Sequence, residues 1–245
     1  TGDPRPLGGS RHKCFSFHHS MITPEFKPVS DCALLVELGT SVDDEINRSI
    51  VKLDRALAKA DIPGVKEVIP ALVNLLVLFD PLLTDHGAVQ SAAEALFPLD
   101  TAELEVGRSY AIRVCYDGLF SPDLEQVATA CGLSTDAVIN AHSSVEYRVS
   151  MYGFAPGFAY LTGVPQIIQI PRKTAPVRDI PTGSVIIAGP QCLTTTLKMP
   201  TGWSIIGRSD AKIMTGDPGR PFLFDVGDTV TFQRIGSDDL EWVAQ

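Results

Sequence analysis

The chain has 245 residues, 44% of them hydrophobic and 20% charged, with a formal net charge of −9 at pH 7. That length supports one large domain or two small ones with a real core, and the composition is ordinary for a soluble globular protein. The negative balance argues against nucleic acid or an anionic membrane as a partner, and no apolar run reaches the ~20 residues of a membrane helix.

In chain order, residues 1–29 show no periodicity and are rich in Pro, Gly and Ser, so they are expected to form a flexible tail. His12, Cys14, His18 and His19 lie close together there. Without a scaffold such groups bind metal only adventitiously, so no native metal site is expected. The tail lacks the apolar core of a signal peptide, which makes the cytoplasm the expected address. The five cysteines are scattered without a C-x-x-C pair, fitting neither a disulfide framework nor a zinc site.

A first unit is expected over residues 30–104. Residues 32–38 (CALLVEL) have strand length. Ile46, Ile50, Leu53 and Leu57 then recur on one face of a helix spanning 42–60, with Ser41 as the expected N-cap. Asp61-Ile62-Pro63-Gly64 ends that helix. Residues 65–69 and 72–79 read as strands, and 85–96 as a second helix. Strand, helix, strand, strand, helix is most of a ferredoxin-like βαββαβ unit, with its last strand missing or lying beyond Leu99. The polar segment 100–108 reads as a linker.

The second unit, 105–245, opens with the alternating strand 109–115. Ser121-Pro122 is expected to start a helix that Gly132 ends, and Ser134 to cap another that runs to His142. Short β-like runs at 145–152, 184–188, 191–197, 203–207 and 228–235, separated by turn residues, suggest a barrel or sandwich. The overall expectation is an α+β protein: a small ferredoxin-like α/β domain followed by a β domain.

Self-sufficient catalytic motifs are missing. The sequence has no P-loop, no G-x-G-x-x-G and no H-E-x-x-H. Gly202-Trp203-Ser204-Ile205-Ile206 breaks the G-x-S-x-G pattern at its last position. An enzymatic role would therefore need a partner to complete the site.

Residues 147–208 interleave Gly and Pro with aromatics and arginines, as shaped loops between short strands do. Tyr147-Arg148-Val149 leads to Gly153-Phe154-Ala155-Pro156-Gly157-Phe158-Ala159-Tyr160. Pro171-Arg172, Arg178, Pro181-Thr182-Gly183-Ser184-Val185 and Gln191 follow, then Gly202-Trp203, Ile206-Gly207-Arg208 and Val226-Gly227-Asp228. Singly these motifs are weak. Their ordered series resembles the family that contains the kinase inhibitor KipI, the B component of bacterial ATP-dependent 5-oxoprolinase and "allophanate hydrolase subunit 1", a region also found in the carboxyltransferase domain of urea carboxylase.

The resemblance implies a cyclophilin-like β-barrel for the second unit. It also implies a role within a heteromeric hydrolase or carboxyltransferase complex. The implied partners are a KipA-like protein (the C component of 5-oxoprolinase) and, in 5-oxoprolinase, a LamB/YcsF-type A component. The implied substrate is a small amide or lactam. No cofactor is expected on this chain itself, and ATP or biotin would act at the level of the complex. A KipI-like inhibitor of a sensor histidine kinase is the competing reading. The segment Pro190-Gln191-Cys192-Leu193-Thr194-Thr195-Thr196 departs from the family's Gly-Gln-Thr-Gly-Ile-Tyr-like run, so specificity is expected to differ there.

Among individual residues, His142 is either a general base or a helix-end cap. Arg172, Arg178 and Arg208, each beside Pro or Gly or one residue from them, suit carboxylate recognition or simple ion pairing. Gln191 matches an amide edge as donor and acceptor. Gly153, Phe154, Pro156, Gly157, Phe158, Tyr160 and Trp203 are expected to shape the site or meet a partner, with core packing as the plainer role for the aromatics.

Overall fold

The computed structural model describes residues 23–99 and 107–241. The His/Cys group of the tail and the boundary between the expected units lie outside those residues.

The first unit comprises β1 (Glu25–Ser30), β2 (Ala33–Glu37), α1 (Asp44–Ala60), β3 (Val65–Pro70), β4 (Asn74–Phe79) and α2 (His86–Glu94). Its sheet has the order β1-β2-β4-β3, with antiparallel neighbours throughout. Residues 25–29, expected in the tail, are thus part of an edge strand. β1 also resolves the missing ferredoxin-like strand: the edge position beside β2 is filled from the N-terminal side instead of from beyond Leu99. Pro28 is tolerated because an edge strand need not donate on its outer side.

On α1, Ile50, Leu53 and Leu57 are buried against Leu34, Val36, Leu75, Val77 and Phe79, as their spacing predicts. Truncating one of them, such as Leu53→Ala, would cost roughly 2–5 kcal/mol. The helix is capped by Asp43, not Ser41. The Asp43 carboxylate accepts from the Glu45 and Ile46 amides at 2.8 and 3.3 Å, and an anion there also meets the positive helix end.

The second unit contains β5 (Ser109–Cys115), α3 (Leu124–Cys131), α4 (Thr135–Ser143), β6 (Tyr147–Tyr152), β7 (Ala159–Thr162), β8 (Val177–Ile180), β9 (Ser184–Ala188) and β10 (Gln191–Thr194). It continues with β11 (Met199–Thr201), β12 (Ser204–Arg208), β13 (Met214–Asp217), β14 (Arg220–Phe222) and β15 (Thr229–Ile235). Seven strands close into a barrel in the order β10-β7-β6-β15-β5-β12-β9. β5 and β15 pair in parallel from Ser109↔Thr229 to Cys115↔Ile235, and the other barrel pairs are antiparallel. The chain is therefore α+β, a small α/β unit followed by the closed barrel that the resemblance implies.

Ser121 does not cap α3. Its hydroxyl donates to the Tyr116 carbonyl at 2.7 Å, closing the preceding turn, and Asp123 takes the cap position. Ser134 does cap α4, accepting from the Ala137 amide at 3.2 Å.

β9 is buried at every position. Val185 and Ile187 face the barrel core, whereas Ile186 joins Phe158, Ile180, Leu193, Trp203 and Ile205 in a smaller cluster on the opposite face. A strand covered on both faces reads as a continuous apolar run, as SVIIA does.

The two units meet along α1. The Asn47 side-chain amide donates to the Ser150 carbonyl and the Arg55 guanidinium to the Val226 carbonyl, each at 3.5 Å. Beside these contacts lies a groove of about 700 Å³ lined by Asp54, Tyr152, Arg220 and Asp225 among others. Burial raises the Asp54 carboxyl to about 6, against the pull of neighbouring Arg55.

Candidate functional site

His142 sits in the last turn of α4 with its side chain in the barrel core and no exposed surface. The Tyr116 hydroxyl lies 2.8 Å from Nδ1 and Cys192 Sγ 3.4 Å from Nε2. The ring stacks on Phe232 with centroids 4.5 Å apart. Burial holds its pKa down at about 3 and pushes the Cys192 thiol and the Tyr116 and Tyr147 hydroxyls up. A neutral imidazole with both nitrogens engaged has no face to offer a substrate. The residue expected as a general base is placed as a packed core histidine.

The expected aromatic residues form a connected row on the outside of the barrel. Ring centroids are 5.3 Å apart for Phe154–Phe158, 5.6 Å for Phe158–Tyr160 and 5.9 Å for Tyr160–Trp203. The Arg172 guanidinium lies 5.5 Å from the centre of the Trp203 ring, within cation–π range. Phe158 and Trp203 are buried, so packing explains them; Phe154 is 73% exposed. Phe154 also has φ of +68°, a conformation that costs a side-chain-bearing residue roughly 1–2 kcal/mol. The turn that holds it is tied by Gly153 N–H to the Phe158 carbonyl and Ala155 N–H to the Gly153 carbonyl.

Asp123 braces the segment carrying Arg172. Its carboxylate accepts from Lys173 Nζ at 2.6 Å and from the Ile205 amide at 2.7 Å. The Lys173 amide in turn donates to the Gly202 carbonyl at 2.7 Å. Sequence reasoning missed Asp123, because its two partners lie far along the chain.

A cleft of about 300 Å³ opens at the end of β12, lined among others by Thr182, Thr196, Arg208, Ser209, Lys212 and Met214. Arg208 is half-buried, and its guanidinium has no hydrogen-bond or ion-pair partner among the described residues. Loss of solvent draws its pKa down without a neighbouring carboxylate to offset it. The cleft's own acids are committed elsewhere: Arg113 pairs with Asp210 and, at 3.3 Å, with Glu241. Gly183 makes the wall possible. It has φ of +81°, and a Cβ there would lie 2.3 Å from the Ser209 carbonyl oxygen.

The cleft and the aromatic row are contiguous. The Thr196 hydroxyl donates to the Pro156 carbonyl at 2.7 Å. A Cβ on Gly157 would meet Met214 Sδ at 2.8 Å and Thr196 Cγ2 at 3.2 Å, so the 153–158 turn is pressed against the cleft wall. Of the four expected binding residues, Arg208 lines the cleft and Arg172 caps the aromatic row. Arg178 is exposed on β8, and Gln191 begins β10 opposite Thr162; neither lines the cleft. Thr195 and Thr196, in the segment expected to alter specificity, do line it.

Among the described residues no group of three or more His, Cys, Asp or Glu could hold a metal ion, and no helix is long and apolar enough to cross a membrane.

Residues 24–224 match the model of the carboxyltransferase domain, subdomain C and D. The chain is 33% identical over 226 residues to the B subunit of 5-oxoprolinase from Bacillus subtilis, covering 88% of this chain and 94% of that one. The crystal structure of TTHA0988 superposes with a TM-score of 0.73 at 34% identity, covering 84% of this chain. The chain spans only 40% of TTHA0988's length. Kluyveromyces lactis urea carboxylase gives a TM-score of 0.69 over 89% of this chain and 22% of that one at 16% identity, a likeness of fold alone. On the extent of these matches, the chain belongs to the family of the carboxyltransferase domain, subdomain C and D, alongside the B subunit of 5-oxoprolinase.

Proposed function

We propose that this chain is the B-type component of an ATP-dependent 5-oxoprolinase-type complex and supplies one wall of an active site shared with a KipA-like partner. The observation that carries the reading is the contiguity of a donor-lined cleft with an exposed aromatic turn, across Thr196–Pro156 and Gly157–Met214. A complete enzyme site would also need a reactive base or nucleophile facing the cleft. His142 is sealed in the core, and the cleft acids are paired with Arg113. The missing groups then come from the partner that docks on Phe154, and ATP is handled there as well. The reaction is hydrolytic opening of a lactam: the ring C–N bond breaks, hydroxyl from water joins the carbonyl carbon and a proton joins the nitrogen.

Reconstitution tests this. The chain alone, mixed with 5-oxoproline and ATP, should form no glutamate. Addition of the KipA-like and LamB/YcsF-type components should produce glutamate and ADP together. Activity of the chain alone would end the shared-site reading. Failure of the full set, with turnover instead in the presence of a biotinylated carrier and bicarbonate, would favour a urea-carboxylase-like carboxyltransferase role. The exposed Phe154 also suits a KipI-like inhibitor. That reading requires the chain to suppress autophosphorylation of a sensor histidine kinase and to leave oxoprolinase activity untouched.

A further inference from the structure

We infer that the Arg208 cleft is a binding site for the carboxylate of a small monoacid, with the acid's apolar body lying against Ile213 and Met214. The inference deepens the reading just proposed, on which the choice of 5-oxoproline as the acid rests; the donor set stands independently of it.

Three observations converge. First, Arg208 is the last residue of β12, so its guanidinium leaves a rigid strand and enters the cleft wall beside the Gly183 turn. It is half-buried and unpartnered among the described residues, although two carboxylates share the same cleft. Asp210 is held by Arg113 and by the Glu241 amide at 3.0 Å, and Glu241 also leans on Arg113. Arg113, which lies outside the cleft, thus answers Asp210 and leans on the largely exposed Glu241, while the cleft's own inner cation is left open. A partly desolvated arginine without an anion is under-satisfied and gains most from a bidentate carboxylate.

Second, the hydroxyls around Arg208 are sorted. Thr195 and Thr196 spend their protons on the Pro181 and Pro156 carbonyls, at 2.8 and 2.7 Å, and so build the wall. Ser209 Oγ accepts from the Ala211 amide at 3.1 Å, which leaves its proton for a ligand. Lys212 stands exposed at the mouth. Ser209 and Lys212 therefore offer donors beside Arg208, which suits an anion.

Third, the size and lining match one small molecule. A cleft of about 300 Å³ is at the lower end of the range for ligand sites. Ile213 and Met214 supply apolar surface opposite the donors. A single arginine flanked by hydroxyls favours one carboxylate over a phosphate, for which a second fixed cation or a helix N-terminus would be expected.

The test is binding to the full chain, followed by calorimetry or by NMR of the backbone amides. The probes are 5-oxoproline, 2-pyrrolidinone (the same ring without the carboxylate) and inorganic phosphate. 5-Oxoproline should bind with shifts at Ser209, Ala211 and Gly183, and 2-pyrrolidinone at least about tenfold more weakly. Arg208→Ala should weaken 5-oxoproline about tenfold or more, and Arg208→Lys about threefold, since charge remains but the fork is lost. Arg234→Ala, on an exposed pair with Asp136, should bind like the native chain. Thermal melting identifies a variant that has failed to fold, in which case the lysine variant and the pyrrolidinone comparison decide. Equal binding of 2-pyrrolidinone, tighter binding of phosphate, no binding of any probe, or full affinity in a folded Arg208→Ala protein would each overturn the inference. In the reconstituted complex, turnover with an unchanged KM for Arg208→Ala overturns the carboxylate site and leaves the oxoprolinase reading standing. Carboxylate binding through Arg208 without any turnover does the reverse.

Discussion

Replacing His142 with glutamine separates a buried structural histidine from a working base. In the folded chain the imidazole is fully buried and its pKa is held at about 3, against an ordinary value of 6.5. The unfolded chain therefore takes up a proton that the folded chain refuses. The stability contributed by the neutral ring is complete above pH 6.5 and is lost as pH falls toward 3. At pH 4.5 the unfolded imidazole is protonated about 100 to 1 while the folded one stays mostly neutral, so the loss from this group is on the order of 2–3 kcal/mol. His142→Gln cannot titrate. Its stability at pH 7.5 should be lower, because the Tyr116 hydroxyl, the Cys192 contact and the Phe232 stack are disturbed. Between pH 7.5 and 4.5, however, it should lose roughly 2–3 kcal/mol less than the native chain. Urea unfolding followed by tryptophan fluorescence at several pH values measures both curves. Parallel curves, or an imidazole NMR titration near 6.5 in the folded protein, would refute the reasoning and reopen His142 as a base.

Three further outcomes follow from the geometry. Phe154→Ala should leave melting temperature nearly unchanged, because the ring is 73% exposed, yet under the proposed shared-site reading weaken capture of a KipA-like partner at least about tenfold, as loss of an aromatic anchor does; Phe154→Gly should in addition raise stability by roughly 1 kcal/mol through relief of the positive φ. Asp123→Ala removes an acceptor from Lys173 and from the Ile205 amide and should cost roughly 2–4 kcal/mol in urea unfolding, with accelerated amide exchange around Arg172. For Asp54, burial raises the folded carboxyl to about 6, so the folded chain holds this proton more firmly than the unfolded one and stability falls as pH rises from 3.8 through 6. Asp54→Asn should therefore gain melting temperature over the native chain progressively between pH 4 and 7.5; a constant difference would show that Asp54 is not strained by burial.

The core of the first unit was legible because helix periodicity is local: Ile50, Leu53 and Leu57 declare a face wherever the helix lies. Strand β1 was not legible. EFKPVS carries a proline and has no fully buried position, so neither face of the sheet imposes an apolar alternation on it. The caps of α1 and α3 each fall two residues beyond the serine that their sequences suggest. A serine preceding a helix can spend its hydroxyl on a nearby carbonyl, as Ser121 does, while Asp123 at the cap position of α3 turns its carboxylate to Lys173 and the Ile205 amide. At the candidate site, motif density pointed to residues that the structure places in the aromatic row and the cleft, because glycine, proline and aromatic residues mark shaped turns. It did not reveal the burial of His142, since Tyr147 is five residues away but Tyr116, Cys192 and Phe232 come from three distant segments. It also missed Ser209 and the Arg113–Asp210 pair. Whether a charge is free or already answered depends on a partner about a hundred residues away.

A half-site of the proposed kind must be stable by itself. Leaving Arg208 unpaired and Phe154 exposed in a left-handed conformation costs free energy that a self-contained barrel would have no reason to spend. Both costs fall on the same wall, one on each side of the Thr196–Pro156 bond. The remainder of that wall is stiff: Gly157 and Gly183 each admit backbone or side-chain contacts that any Cβ would abolish, and Asp123 pins the Arg172 segment from behind. Local strain on a stiff surface is what a preorganised docking edge requires, because a partner and a small acid can then relieve it without rearranging the barrel. Under the shared-site reading, the two should bind with positive coupling. A partner seated on Phe154 covers the cleft mouth and strengthens the field of Arg208 by excluding water. Affinity for 5-oxoproline should therefore rise on assembly, and rise less in Phe154→Ala than in the native chain. Equal affinities in the free chain and in the complex would mean that the cleft and the aromatic edge are neighbours without being parts of one site.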